Sequence, residues 1–277
     1  IVMPASSTVN HFVGGLLQVA ASDSTTALSK GSLSTGGAWS SAFLGARNEV
    51  NHRADALMDN VIVTTGGGVQ VLANTTQSLT TNLSGKVDGF LFSAANTLTL
   101  NEVVGGTTAR IQGGRLETAG DLSVVADNAS TIDSVNQATV DGAGADSHVI
   151  AANVIGWSGL NASRATLASI SGFKSALGGQ LTGSAGSASP METLASVVNT
   201  PLVVGGSAQV KALMRAAQTS RVSSDVDGFF GGGSQVLAVQ RANTRTQAWI
   251  SPSSAATPVD GRTQVHKDNV VGANQVE

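Results

Sequence analysis

An all-β chain is predicted, folded as a parallel β-helix (a solenoid) built from repeats of about 53 residues, in one domain spanning 1–277 with a loop and short helix inserted at 171–200. Three observations predict it. A glycine-entered strand phrase recurs together with two further landmarks in a fixed order, the sign of stacked repeats. Apolar residues within each repeat alternate with a period of two. The composition favours small and β-branched side chains, which suit a pleated, closely stacked sheet.

The strand phrase reads "VGGLLQV" from Val13, "TGGGVQV" from Thr65, "TAGDLSV" from Thr118, "VGGSAQV" from Val204 and, more weakly, "VDGRTQV" from Val259. Successive starts lie about 52, 53, 86 and 55 residues apart. Seventeen residues after the last valine of the first four phrases come Gly36, Asp88, Asp141 and Asp227, three of them in the words "VDGF", "VDGA" and "VDGF". The third landmark precedes the next glycine turn: "DALM" with Ala56 and Met58, "TARI" with Ala109 and Ile111, "RATL" with Ala165 and Leu167, "QAWI" with Ala248 and Ile250.

The long interval exceeds the others by about thirty residues, and the excess is expected at Ser171 to Thr200. "GGQLTGSAGSASP" in that segment has the composition of a flexible loop. In "SPMETLASVV" Ser189 is placed as a helix N-cap, Pro190 at the first helical position and Glu192 as the partner of a capping box, so a short helix is predicted there.

Elsewhere "GVQVLA", "DLSVVA" and "TLTL" alternate as strands with one buried face. A propeller would need two-residue turns between all its strands, whereas each repeat supplies one "DG" pair. Stacked coils, in which identical positions recur at each level, explain the small side chains better. Two or three coils per repeat are expected, giving ten to fifteen coils in a rod of roughly 50 to 70 Å. Glycines are expected at corners that need positive φ. Asn96, Asn101, Asn153 and Asn161 are read either as stacked amide ladders or as residues that tolerate tight turns.

Charge excludes some functions. Only 12% of residues are charged and 4% aromatic, with 15 Lys and Arg against 18 Asp and Glu, a net charge of −3 and no cysteine. Arg241 and Arg245 are the nearest approach to a basic pair, so no nucleic-acid partner is expected. No apolar run nears the roughly 18 residues of a membrane span, and no membrane insertion is expected. The chain opens on Ile1 and closes on "NQVE", and both ends read as cut from something longer.

Candidate chemistry is sparse. His11, His52, His148 and His266 stand apart without metal-ligand spacing. Asp88, Asp141 and Asp227 share one repeat position and are read as Asp-Gly turns several coils apart, with calcium left open. Glu49, Asp55 and Asp59 near His52 and Arg53 form the densest charged patch, read as a solvated face. Trp39, Trp157 and Trp249 would be the stacking surfaces of a carbohydrate enzyme but fall in different repeats. No catalytic, cofactor-binding or metal-binding residue is assigned, no cofactor is expected, and the chain is read as not an enzyme.

The run "TTARIQGGRLETAGDLSVVADNASTIDSV", then "HVIAANVI", resembles the repetitive regions of large bacterial surface exoproteins, the haemagglutinin-like and leukotoxin-like repeats. The match is good from Val61 to Gly172, partial before it and after Leu202, and absent in the insertion. The resemblance implies a secreted or cell-surface filamentous protein acting as an adhesin, matrix component or fibrous scaffold. Self-association head to tail, or continuation into like repeats, is expected, with host-surface or matrix glycans as further partners. The alternatives are a carbohydrate-active β-helix enzyme (polysaccharide lyase or hydrolase) and a glycan- or receptor-binding module whose contact surface is the insertion.

Overall fold

The computed structural model describes residues 10–160, 185–251, 263–271 and 275–276. Among the described residues the chain is all-β, with no helix and fourteen strands. Short strands are β1 (Asn10–Val13), β3 (Ile62–Thr65), β5 (Arg115–Thr118) and β10 (Leu202–Val204), which pair in parallel in the order β1-β3-β5-β10. Each leads through a glycine turn into a long strand: β2 (Leu17–Asp59), β4 (Val69–Gln112), β6 (Leu122–Ile155) and β11 (Ala208–Ala242). Completing the chain order are β7 (Trp157–Leu160), β8 (Ala185–Ala188), β9 (Met191–Val198), β12 (Thr244–Ser251), β13 (Thr263–Val271) and β14 (Gln275–Val276).

The long strands stack in parallel, in register, in the order β2-β4-β6-β11-β13. Each repeated phrase falls on itself: Val19 pairs with Val71, Val71 with Val124, Val124 with Val210 and Val210 with Val265. A residue's neighbour in the sheet is therefore a whole repeat away, and each repeat supplies one level of the stack. This replaces the expected two or three coils per repeat. At about 4.8 Å between strands, four long levels rise only some 15 to 20 Å.

Each long strand also doubles back within its own level. Ser29 Oγ donates to Asn48 Oδ1, Thr81 Oγ1 to Asn101 Oδ1, Thr107 Oγ1 to Thr75 Oγ1, and Gln218 Nε2 to the Arg241 carbonyl. These pairs are centred near residues 38, 91 and 230, where the register shifts at Gly37/Trp39, Asp88/Phe92 and Gly228/Gly231 also lie. The result is a strongly curled parallel sheet whose two halves face each other across a narrow interior.

Alternation decides which side chains enter that interior. In β4 the residues Val69, Val71, Ala73, Leu79, Leu83 and Val87 are buried, and their in-between neighbours face out. One apolar cluster forms where the strand starts, the strand ends and the short strands meet, from Val71, Val124, Val210, Ala109, Ile111, Leu116 and others. A second lies near the distal turn, around Val87, Val140 and Val149. Between them runs a polar seam. Asn48 Nδ2 donates to Asn101 Oδ1 and Asn101 Nδ2 to Asn153 Oδ1, each at 2.8 Å, and Asn153 Nδ2 donates on to Ser220 Oγ at 2.8 Å. Asn101 and Asn153 thus form an amide ladder, in the core and not at a turn. Asn96 belongs to another column, between Phe43 and His148, and Asn161 lies outside the described residues.

Corners divide into two kinds. At the end of each level Asn60, Gly113 and Asn199 take φ of 50°, 65° and 50°, the left-handed region that asparagine and glycine tolerate. The glycine turns into the long strands are needed for a different reason: a Cβ on Gly67 would sit 2.6 Å from the carbonyl carbon of Gly15 one level away, and one on Gly120 would sit 2.9 Å from that of Gly67. Stacked backbones leave no room there.

The predicted helix at 189–198 is a strand. Met191, Thr193, Ala195 and Val197 are all fully buried while Glu192 faces out, and β9 pairs in parallel with the end of β4 on one side and β12 on the other. Two sheet neighbours override the local capping signals. Ala195 and Val197 pair with Ala109 and Ile111, so they occupy the third landmark's place; "RATL", together with the start of the low-complexity loop, lies outside the described residues. Ile155 pairs with Val103 and Glu192 with Gly106, so residues 156–191 stand where the previous level has only 104 and 105. The insertion thus begins earlier than the expected 171–200, and its end belongs to the stack. Its described parts, β7 and β8, pair antiparallel, and β7 packs on β4.

Candidate functional site: the distal turn edge

The edge where the long strands double back gathers the least ordinary surface of the molecule. Each strand arrives through an inward valine, an outward residue and a glycine: Val87–Asp88–Gly89 in the second level and Val140–Asp141–Gly142 in the third. The glycine is required by crowding, since a Cβ on Gly89 would sit 2.8 Å from the Phe92 carbonyl oxygen and one on Gly142 would sit 2.7 Å from the Gly89 carbonyl oxygen. Ser93 Oγ donates to the Asp141 carbonyl at 2.7 Å, tying two levels together at the bend.

Beyond the glycine the chain turns its aromatic residues outward. The whole sequence has seven Phe, three Trp and no Tyr. Five of those ten rings, Trp39, Phe90, Phe92, Phe229 and Phe230, sit on this edge, with Trp39 70%, Phe90 80% and Phe229 85% exposed. Among the residues whose burial is described, no Phe or Trp ring belongs to the core. Trp39 and Phe92, partners on successive levels, lie with ring centroids 4.6 Å apart at 31°, and Phe229 and Phe230 meet edge to face at 5.0 Å and 83°. Beside Trp39 and Phe92 opens a cleft of about 700 Å³ that crosses all four levels, through Ser41, Ser93, Asp146 and the Gly231–Gly233 backbone.

The aspartates of the repeat flank this edge. Register pairs Gly36 with Asp88, Asp88 with Asp141 and Asp141 with Asp227. Where the sequence predicts them several coils apart, they occupy successive levels of one outer column, about 4.8 Å from one to the next. Lys86 Nζ lies 3.1 Å from Asp88 Oδ2. Among the described residues no group of three or more histidines and carboxylates converges in a way that would hold a metal ion.

Other expected positions disperse. The charged patch around His52 splits by alternation: Arg47–Glu49 (2.9 Å) and Arg53–Asp55 (2.6 Å) pair on the outer surface, whereas His52 points inward. Its ring is 5% exposed, with Nδ1 3.2 Å from both Asp23 Oδ2 and Gln77 Nε2. Burial holds the His52 pKa below the usual 6.5, against the opposing pull of the Asp23 carboxylate. His148 stands on the outer side beside Asn96, while His11 and His266 lie in β1 and β13. Arg241 stacks its guanidinium 5.4 Å from the Trp157 ring centre, and Arg245 pairs with Glu192 at 3.4 Å. Trp249 is in register with Ser196, far along the level from Trp39.

The tryptophans are the only stacking surfaces named from the sequence, and the four phenylalanines of this edge are not among them. Their signal was present: "VDGFLF" and "VDGFF" place them directly after the second landmark. Comparison with family models, with curated proteins and with solved structures finds no match.

Proposed function

We propose that the chain is a section of a β-solenoid, one level per repeat, that serves as a passive structural and adhesive scaffold of a bacterial cell-surface or extracellular filament. The observation that carries this reading is the open level at β2. This 43-residue strand pairs with β4 on one side and, among the described residues, with nothing on the other. Leu17, Val19, Ala21 and Ala27 face inward yet are only partly buried, while their partners Val69, Val71, Ala73 and Leu79 are covered. An edge so long and so ready to pair is a template for a further level, and a non-closing contact of this kind builds filaments. The haemagglutinin-like motifs of the sequence support the same reading, as does a chain whose regular features are packing devices repeated level by level.

Electron microscopy and fibre diffraction of the purified chain test it. Filaments with an axial reflection near 4.8 Å are the expected result; compact particles that stay single at high concentration would remove the scaffold reading.

A further inference from the structure

We infer that the cleft at the distal turn edge binds a neutral oligosaccharide, a role that rests on the adhesive half of the proposed function and gives it a ligand class. Exposed Phe and Trp rings in a chain whose described residues keep no Phe or Trp in the core are not accounted for by folding, and contiguous exposed apolar surface marks interaction sites. The lining is mixed. Trp39 and Phe92 supply a tilted aromatic wall, Ser40 and Ser41 supply hydroxyls, Asp146 supplies a carboxylate, and Gly231–Gly233 supply bare backbone that a ligand can approach closely. A pyranose ring has the matching chemistry: an apolar C–H face to lie on an aromatic ring, and equatorial hydroxyls that donate to a carboxylate or pair with serine and backbone.

Charge and shape narrow the choice. Among the described residues no Lys or Arg lines the cleft, and Asp88, Asp141 and Asp227 stand near it, so an acidic polysaccharide or a nucleic acid is repelled. A purely apolar partner would leave Asp146 without a solvent-like neighbour. The cleft crosses four levels, three steps of about 4.8 Å each, and that step is close to the advance of one sugar unit along an extended β-linked glycan. It therefore fits about three units lying along the stacking axis.

The test is titration of the chain with cellohexaose and chitohexaose, followed by tryptophan fluorescence and by saturation-transfer NMR, with a heparin hexasaccharide as the acidic comparison. Saturable binding of at least one neutral hexasaccharide is expected, with the trisaccharide retaining most of the affinity. Trp39→Ala is expected to weaken binding at least tenfold and Asp146→Asn several-fold. Both positions are exposed, so both variants should keep the parent thermal midpoint, and Ser41→Trp, at another exposed position of the lining, offers a third variant that fills the cleft. Failure of both neutral sugars to saturate overturns the assignment. So does binding that survives all three variants, tighter binding of the heparin hexasaccharide, or loss of self-association in Trp39→Ala with no sugar bound by the parent. Filament formation is read separately by microscopy, so loss of the sugar site and loss of the scaffold reading are distinct results.

Discussion

Asn101 shows how a single residue holds the stack. Its amide accepts from Asn48 Nδ2 and Thr81 Oγ1 and donates to Asn153 Oδ1, all within 2.9 Å, the last two in the core and the first at the half-buried open level. In a dry interior each polar atom needs a partner, because an unpaired one costs about 1 to 3 kcal/mol. Asn101→Ala strands Asn153 Oδ1 between levels, and a loss of about 2 to 4 kcal/mol is expected in denaturant unfolding. Asn48→Ala, at the open level, leaves partners that water can reach, so it should cost about half as much or less. Equal effects at the two positions would mean that the ladder is not a buried chain. His52 gives the same interior a pH dependence. Its folded pKa lies below its unfolded value, so as pH falls through about 6.5 the unfolded chain takes up a proton that the folded chain resists. Stability contributed by the neutral ring is therefore present above that pH and declines below it. Thermal melts at pH 7.5 and 5.5 should show the drop in the parent, and His52→Gln, which keeps a polar group beside Asp23, should flatten the slope between those two points.

At the scale of the strand, stacking explains what could be read from sequence. Identical positions of successive levels share one environment, so the column Val19, Val71, Val124 and Val210, and the column Ala56, Ala109, Ala195 and Ala248, hold similar residues and announce the register. The number of levels was hidden for an equally physical reason. A strand that doubles back within its level keeps its period-two alternation almost unbroken through the bend, so Leu79, Val103 and Val87 look like parts of separate levels when they share one strand. Helix and strand were confused at 189–198 because Ser189, Pro190 and Glu192 are a sound local capping signal, while β4 and β12, which claim the segment, lie some 50 or more residues away in the chain. The corner column shows a subtler case. Asn60, Gly113 and Asn199 share a left-handed turn, but only Gly113 resembles a corner in the usual sense, and the asparagines would have to be read through their shared position in the repeat. The distal aromatics went unread because each phenylalanine, taken singly, belongs to a turn word; only the stacking of four turns makes them one surface.

For the molecule as a whole, the decisive question is what lies on β2. The inward side of that strand is mostly apolar or hydroxyl-bearing, and its one inward carboxylate, Asp23, is already engaged by His52, so little opposes a further level. Inward-pointing charge is the usual device that keeps sheet edges apart, which makes a direct test available. Thr25 faces inward on the open level, half-buried, in the column that continues through Gln77 and Ser130. Thr25→Lys lets a single chain fold, because the ammonium can rise out of the open face into water, but a level laid on top would have to bury it. The expected outcome is a thermal midpoint within a few degrees of the parent together with a critical concentration for filaments raised at least tenfold, read by sedimentation and microscopy. Sugar binding at the distal edge should be unchanged, since Thr25 lies well along the strand from Trp39. If Thr25→Lys assembles as the parent does, growth does not pass through β2, and the open level would have to be explained as an edge that this fold simply tolerates.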